Sequence, residues 1–203
     1  MIALVDVCSG NLRSVARALE RVGGQVVVTR DPEVVRRADK IVVPGQGAFG
    51  VFMRELVARQ LDEPLREALA SGRPYLGICL GLQILFDDSE EQGPCAGLGV
   101  LSGRVVKLRP SDPRLKVPHT GWNRIVRRRA EPLLDGVPDG AHVYFVHSFH
   151  AIPTDRSVVA VESDHGERIA AAIRSANLFA CQFHPEKSQA VGLQILRNFV
   201  EAA

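Results

Sequence analysis

Apolar positions in the first half of the chain follow two alternating rhythms. Short continuous runs occupy residues 2–7, 25–29, 40–43 and 75–78. Each is too short for a helix and rich in aliphatic side chains, so each predicts a strand, the first of them buried on both faces. Between them, apolar residues recur every three or four positions. Leu12, Val15, Ala16, Leu19 and Val22 form one helical stripe, which Asn11 would cap and Gly23-Gly24 would stop. Asp31-Pro32-Glu33 opens a short second helix with a capping side chain, a proline in the first turn and an acid behind it. Residues 51–70 read as helical, reset at Asp62-Glu63-Pro64, and Leu80, Ile84 and Leu85 predict another helix directly after the fourth strand. Strands and helices alternating over short connections predict an α/β fold, an open, mostly parallel sheet flanked by helices. In such sheets ligands gather beyond the carboxyl ends of the strands.

The pattern changes near residue 99. Short β-rich runs follow at 99–108, 122–126, 143–146, 158–161, 169–173 and 179–183, punctuated by Pro110, Pro113, Pro118, Pro138 and Pro153. They predict an antiparallel β extension on the first sheet, closed by a helix over 188–200. No stretch reads as a linker, a repeat or a low-complexity tract, so residues 1–203 are expected to form one domain. Arg127-Arg128-Arg129 lies between acids at Glu131 and Asp135 and reads as a solvated turn.

Composition narrows the range of partners. With 25 basic and 23 acidic residues the net charge is +2, which gives no electrostatic reason to expect nucleic acid or a membrane surface. A hydrophobic share of 46% supplies ample core and excludes disorder as the main theme. No apolar run approaches the ~20 residues a bilayer span requires. Asp6 interrupts the N-terminal run too early for a signal peptide, and a cytoplasmic chain is expected. Cys8, Cys79, Cys95 and Cys181 are widely spaced, with no C-x-x-C pair. They suggest neither zinc nor a disulfide framework, and no metal or cofactor is expected. Their default reading is as small buried hydrophobes.

One cysteine departs from that default. Gly77-Ile78-Cys79-Leu80-Gly81 has the glycine-flanked form of a nucleophile elbow, between a predicted strand and a predicted helix. A sharp strand-to-helix turn would expose the thiol, and the helix N-terminus would favour its thiolate. Read alone, the pentapeptide fits a buried cysteine ending a strand equally well. Gln182-Phe183-His184-Pro185-Glu186 follows another apolar run. In extended chain His184 and Glu186 would project to one side, so the acid could hold and polarise the imidazole. A surface histidine beside an acid is the plainer alternative. Pro44-Gly45-Gln46-Gly47-Ala48-Phe49 directly follows the third strand. Its glycines would let backbone N–H groups turn into a site, or would simply make a glycine-rich turn.

G-I-C-L-G-L-Q and, much later, Q-F-H-P-E-K-S together resemble the class I glutamine amidotransferases, with their Cys-His-Glu triad. Further blocks are similar to one branch of that family, whose glutaminases serve a separate (β/α)8-barrel cyclase. These blocks are Asp6, Ser9-Gly10-Asn11-Leu12-Arg13-Ser14-Val15, Pro118-His119-Thr120-Gly121-Trp122-Asn123 and Tyr144-Phe145-Val146-His147-Ser148. The resemblance implies that Cys79 attacks the γ-carboxamide of L-glutamine, His184 acts as base and acid, and Glu186 orients His184. It implies an oxyanion site from the backbone of Leu80 and of Gly45 to Gly47. Gln83 and Glu91 would contact the substrate, Glu91 at its α-ammonium group in the loop 87–91, and the backbone at Ser148 and Phe149 would line the α-carboxylate end. Solvated polar positions for Gln83 and Glu91, and strand filler for Ser148 and Phe149, are the alternatives.

The implied products are glutamate and ammonia, formed through a γ-glutamyl thioester. Ammonia would pass to the cyclase in a heterodimer, which makes imidazole glycerol phosphate and AICAR from PRFAR in histidine synthesis. The chain has no P-loop and no room for the barrel. Trp122 and Lys187 would face the partner, unless the one is a core anchor and the other a solvated lysine. Residues 44–48 would change state on activation. The chain departs from the family at Asp6-Val7-Cys8, where Asp-Tyr-Gly is usual, at Gln46, where Val is usual, and at Thr120, where Met is common. Two competing functions are a glutaminase for another synthase, such as that of anthranilate, and a non-catalytic subunit of the same fold. The S-G-N-L and P-H-T-G-W-N blocks argue against the first, and intact Cys79, His184 and Glu186 against the second.

Overall fold

The structure, a computed structural model, describes residues 1–8 and 11–202; Ser9 and Gly10, within the S-G-N-L block, and Ala203 lie outside the described residues. The first half runs β1 (Ile2–Val5), α1 (Leu12–Arg21), β2 (Val26–Thr29), α2 (Pro32–Arg37), β3 (Lys40–Gly45), α3 (Phe49–Ala58), α4 (Asp62–Ala70) and β4 (Tyr75–Cys79). This is the alternation the apolar rhythm predicts. Asp31 caps α2 as expected, accepting from the Glu33 N–H at 2.9 Å. Strand β3 runs two residues past the expected 40–43 and carries Pro44 and Gly45 into register with Ile78 and Cys79.

The chain continues through α5 (Leu80–Gln83), β5 (Phe86–Ser89), β6 (Cys95–Ala96), β7 (Leu101–Lys107), β8 (His119–Arg124), β9 (Val126–Arg127), β10 (His142–His147), β11 (Phe149–Pro153), β12 (Val159–Asp164), β13 (Arg168–Ser175), β14 (Leu178–Cys181) and α6 (Gln189–Glu201). The main sheet has the order β2-β1-β3-β4-β14-β13-β12-β9. It is parallel from β2 to β14 and antiparallel beyond. Successive residues of its strands point to opposite faces. Ala3, Val5, Ile41 and Val43 therefore join one apolar cluster with α3 and α4, while Ile2, Leu4 and Val42 join another with α1 and α6.

Three sequence expectations need correction. Only part of the second half extends the first sheet, because β11-β7-β5-β6 form a second sheet and β10-β8 a third. Helix α5 is a single turn, and the following Phe86–Ser89 is strand rather than helix or loop. Residues 80–86 are all buried, so their apolar positions carry no amphipathic period. In the Arg127-Arg128-Arg129 run, Arg128 and Arg129 lie exposed in a bend as expected, but Arg127 ends β9 and is half-buried. Arg127 donates to the carbonyls of Leu134 and Val137, Arg128 pairs with Glu162, and Arg129 donates to Ser157 O and Arg174 O.

The β4–α5 turn is pressed against β3. A Cβ at Gly81 would sit 1.8 Å from the Val43 carbonyl oxygen, and one at Gly77 would sit 2.3 Å from the carbonyl oxygen of Gly81. Inserting even a methyl group there forces backbone apart. Gly81→Ala is expected to cost at least about 1–3 kcal/mol, the range of overpacked cores. Denaturant unfolding checks this, and an unchanged midpoint would contradict the packing described.

Candidate active site

Cys79 closes β4 with φ 55 and ψ −105, a conformation that a side chain with a Cβ adopts only under constraint. The constraint is the close packing of Gly77 and Gly81. It turns the backbone sharply and places the sulfur, 6% exposed, at the carboxyl end of the central strands. The helix beneath is only four residues long. A single turn carries little dipole, so the helix N-terminus lends the thiolate little support.

His184 follows β14, the strand beside β4, so the sheet itself brings it to Cys79. Its N–H donates to Tyr144 O at 2.9 Å, and Ser188 Oγ donates to its carbonyl at 2.7 Å while accepting from the Tyr144 N–H at 3.0 Å. Glu186 Oε1 meets His184 Nδ1 at 2.9 Å, with the carboxylate side chain fully buried. The expected contact is present, but its expected cause is not. Residues Pro185–Lys187 form a 3-10 turn, and this curl rather than an extended strand brings the acid under the ring. An ionised carboxylate only accepts, so Nδ1 carries the proton and Nε2 is left toward Cys79. Nε2 is buried and makes no hydrogen bond of ordinary geometry among the described residues. Burial works against charge on His184, but contacts with Cys79 and Glu186 outweigh it and push its pKa up to about 10.

Asn11 holds the same carboxylate. It sits at the N-cap position of α1, as predicted, but its side chain makes no cap hydrogen bond. Instead Nδ2 donates to Glu186 Oε1 at 2.7 Å, while Glu186 Oε2 is buried with no partner among the described residues. Capping residues and carboxylate holders look alike in sequence, so only the fold separates the two.

A cavity of about 390 Å³ opens in front of the sulfur. Cys79, Leu80, Gly47, Gln83, Glu91, Ser148, Phe149, His184 and Lys187 all line it. Gly45 does not: it is paired in β3 and faces a narrow cleft behind, shared with Asn11, Gln46, His184 and Glu186. Gln83 is buried rather than solvated, and its Nε2 donates to Phe149 O at 2.9 Å and to Gln182 Oε1 at 3.0 Å. Gln182 Nε2 in turn reaches Cys79 Sγ at 3.5 Å, a contact that only its place beside His184 hinted at. Glu91 lies just beyond β5, and its Oε2 accepts from the Phe49 N–H at 2.7 Å at the start of α3. Ser148 lies between β10 and β11 rather than in a strand.

Trp122 is no core anchor. It is 46% exposed and meets the Tyr144 ring edge-on at 6.0 Å, and Lys187 Nζ lies 5.6 Å from the centre of that ring. Exposed Val146 extends this face beside the cavity mouth. All four cysteines are free, and Cys8 and Cys95 are half-buried rather than buried. Among the described residues, no cluster of three or more His, Cys, Asp or Glu is placed to hold a metal. No helix of the described residues is long and apolar enough to cross a membrane.

A buried thiol on a strained elbow, faced by a carboxylate-held imidazole at the end of parallel strands, is an arrangement suited to nucleophilic chemistry at sulfur. A family model described as glutamine amidotransferase class-I matches residues 3–203, and the chain belongs to this family. The chain is similar to the imidazole glycerol phosphate synthase subunit HisH of Syntrophotalea carbinolica, 51% identical over 204 residues and covering 98% of both chains. It is 50% identical to the subunit of the same name from Geobacter sulfurreducens, again over 98% of both. Among solved structures, PurLQS from Thermotoga maritima matches with a TM-score of 0.75 at 20% identity, over 98% of this chain and 96% of that one. The glutaminase domain of Trypanosoma brucei CTPS with bound acivicin matches with a TM-score of 0.68 at 14% identity, over 98% and 92%. Those two likenesses are of fold alone.

Two outcomes follow. Because folding raises the pKa of His184 above its ordinary 6.5, its stabilisation is complete below that pH and is lost as pH rises toward 10. Unfolding free energy should fall across this window in the wild type relative to His184→Gln; parallel profiles would contradict the contact network. Asn11→Ala removes a hydrogen bond to a buried charge and should cost about 1.5–3 kcal/mol. Asn11→Asp should cost more, by setting two carboxylates together, and equal unfolding midpoints for the two variants would rule out the contact.

Proposed function

We propose that this chain is the glutaminase of an imidazole glycerol phosphate synthase, a single glutamine amidotransferase domain over residues 1–203 acting in histidine biosynthesis. The observation that carries the reading is Cys79, held at positive φ with the His184–Glu186 pair behind it and a cavity of about 390 Å³ in front. Identity of about half with the HisH subunits over nearly the full length selects the branch of the family.

The sulfur, as thiolate beside an imidazolium, adds to the γ-carboxamide carbon of L-glutamine. The carbonyl oxygen becomes an oxyanion, met by backbone N–H groups at Leu80 and in the segment from Gly45 to Gly47. Gly47 already lines the cavity, whereas Gly45 is paired in β3. Bringing the Gly45–Gln46 peptide to the site therefore requires residues 44–48 to turn. Gly47 sits at φ 97, where the backbone can pivot cheaply. His184 gives its Nε2 proton to the departing nitrogen, and ammonia leaves as the C–N bond breaks. Water then attacks the thioester, His184 takes its proton, and glutamate leaves as the thiolate is restored. Gln83 and the backbone at Ser148 and Phe149 hold the amino acid end, with Glu91 at the α-ammonium group and the backbone at the α-carboxylate.

Ammonia is mostly protonated near neutral pH, and ammonium is no nucleophile. A synthase therefore gains from passing it on before it meets water. The partner in this reading is a (β/α)8-barrel cyclase that converts PRFAR to imidazole glycerol phosphate and AICAR. The exposed face of Trp122, Tyr144 and Val146, with Lys187 beside it, supports docking next to the cavity mouth. No cofactor, nucleic acid or membrane enters the reaction, and the place of work is the cytoplasm.

The test is glutamate release by the heterodimer with acceptor bound. Cys79→Ala should lower kcat by more than about 10³-fold, as loss of a nucleophile does in acyl transfer. Equal rates for variant and wild type would remove the assignment.

A further inference from the structure

The P-H-T-G-W-N and Y-F-V-H-S segments supply two histidines whose roles the reaction above leaves open. His119 of β8 and His147 of β10 are register partners, and both are nearly buried. His119 Nδ1 lies 3.0 Å from His147 Nε2, and His147 Nδ1 lies 3.0 Å from Phe149 O. At the far end, Asn123 Nδ2 lies 3.1 Å from His119 Nε2.

The protons of this chain have one consistent placement. Phe149 O can only accept, so His147 Nδ1 carries a proton. A neutral imidazole has one N–H, so His147 Nε2 accepts from His119 Nδ1. His119 Nε2 must then accept from Asn123, whose side-chain oxygen already accepts from the Arg124 N–H at 2.7 Å. The hydrogen bonds thus all run one way, from Asn123 through two rings to the Phe149 carbonyl. Protonating either ring sets two N–H groups head to head. Burial holds both rings neutral, with His147 pushed down to about 3 and His119 to about 4. The neighbouring histidines act in the same direction: His165 stacked on His119 at 4.1 Å for both rings, and His150 for His147.

The same carbonyl oxygen accepts from Gln83 Nε2 at 2.9 Å. Both lone pairs of Phe149 O are therefore engaged, one from the cavity floor and one from the β8–β10 sheet. We propose that His147 and His119 are positioning residues, which through this one-way chain fix the Ser148–Phe149 backbone in the orientation that receives the substrate's α-carboxylate. The proposal rests on the reading of that backbone as the glutamine α-carboxylate subsite.

Long-range ¹H–¹⁵N spectra of the heterodimer read the tautomers directly. Both rings should be neutral, protonated at Nδ1, and unchanged down to about pH 5. A proton at Nε2 on either ring, or titration near 6.5, would overturn the chain. Kinetics test its consequence. His119→Gln can still donate to His147 and accept from Asn123, and should keep KM for glutamine within about twofold. His119→Leu leaves the His147 acceptor buried and unpaired, and should raise KM about tenfold with kcat little changed. Equal KM values in the two variants, or a loss confined to kcat, would overturn the positioning role. Wild-type protein that releases no glutamate would instead overturn the glutaminase reading, while leaving the tautomer result standing.

Discussion

The site depends on one close approach, the β4–α5 turn against β3. At Gly81 the backbone stands so near Val43 that no Cβ fits, and at Gly77 the following turn folds back on the strand. The buried Tyr75 hydroxyl donates to Gly81 O at 2.8 Å and closes the turn from beneath. Compressed this way, the chain carries Cys79 into a φ that an ordinary turn would avoid. The sulfur stands at the strand ends because the backbone has nowhere else to go.

A second contact of the same kind sets the carboxylate beneath the His184 ring. A Cβ at Gly192 would lie 1.8 Å from Pro185 O, so α6 packs directly on the 3-10 turn that carries Glu186. The carboxylate is therefore fixed by helix packing from one side and by Asn11 from the other. The two sides belong to opposite ends of the chain, and they meet because β1 and β14 lie in the same sheet. Burial of this carboxylate would be costly alone. Two donors converging on one oxygen, one of them an imidazole, offset that cost and leave His184 the group whose charge the fold favours.

The parallel half of the fold was readable because β1, β3 and β4 are buried on both faces and its helices on one, so most elements leave their own apolar rhythm. The edge strand β2, with Val27 and Val28 exposed, reads as a strand by its valines alone. The second half was less so. Strands such as Phe86–Ser89 alternate weakly and owe their existence to pairing with β7, a long-range contact that local pattern does not record. The elbow at Cys79 was legible in its glycines. His184 and Glu186 were legible as a pair, although a tight turn rather than an extended strand unites them. Asn11, Gln182 and the hydrogen-bonded pair His119 and His147 were not, because a polar residue that will be buried looks like one that will be solvated. Arg127 shows the same blindness: charge suggested solvent, and the carbonyl groups of Leu134 and Val137 took its guanidinium.

Of the four free thiols, only Cys79 sits on a strained elbow, with a facing imidazole and the cavity of about 390 Å³ before it. An electrophilic glutamine analogue, followed by peptide mapping in the mass spectrometer, tests this most directly. Modification should fall on Cys79 alone and be suppressed by glutamine. Labelling of Cys8, Cys95 or Cys181 at a comparable rate, or labelling of Cys79 indifferent to glutamine, would contradict it.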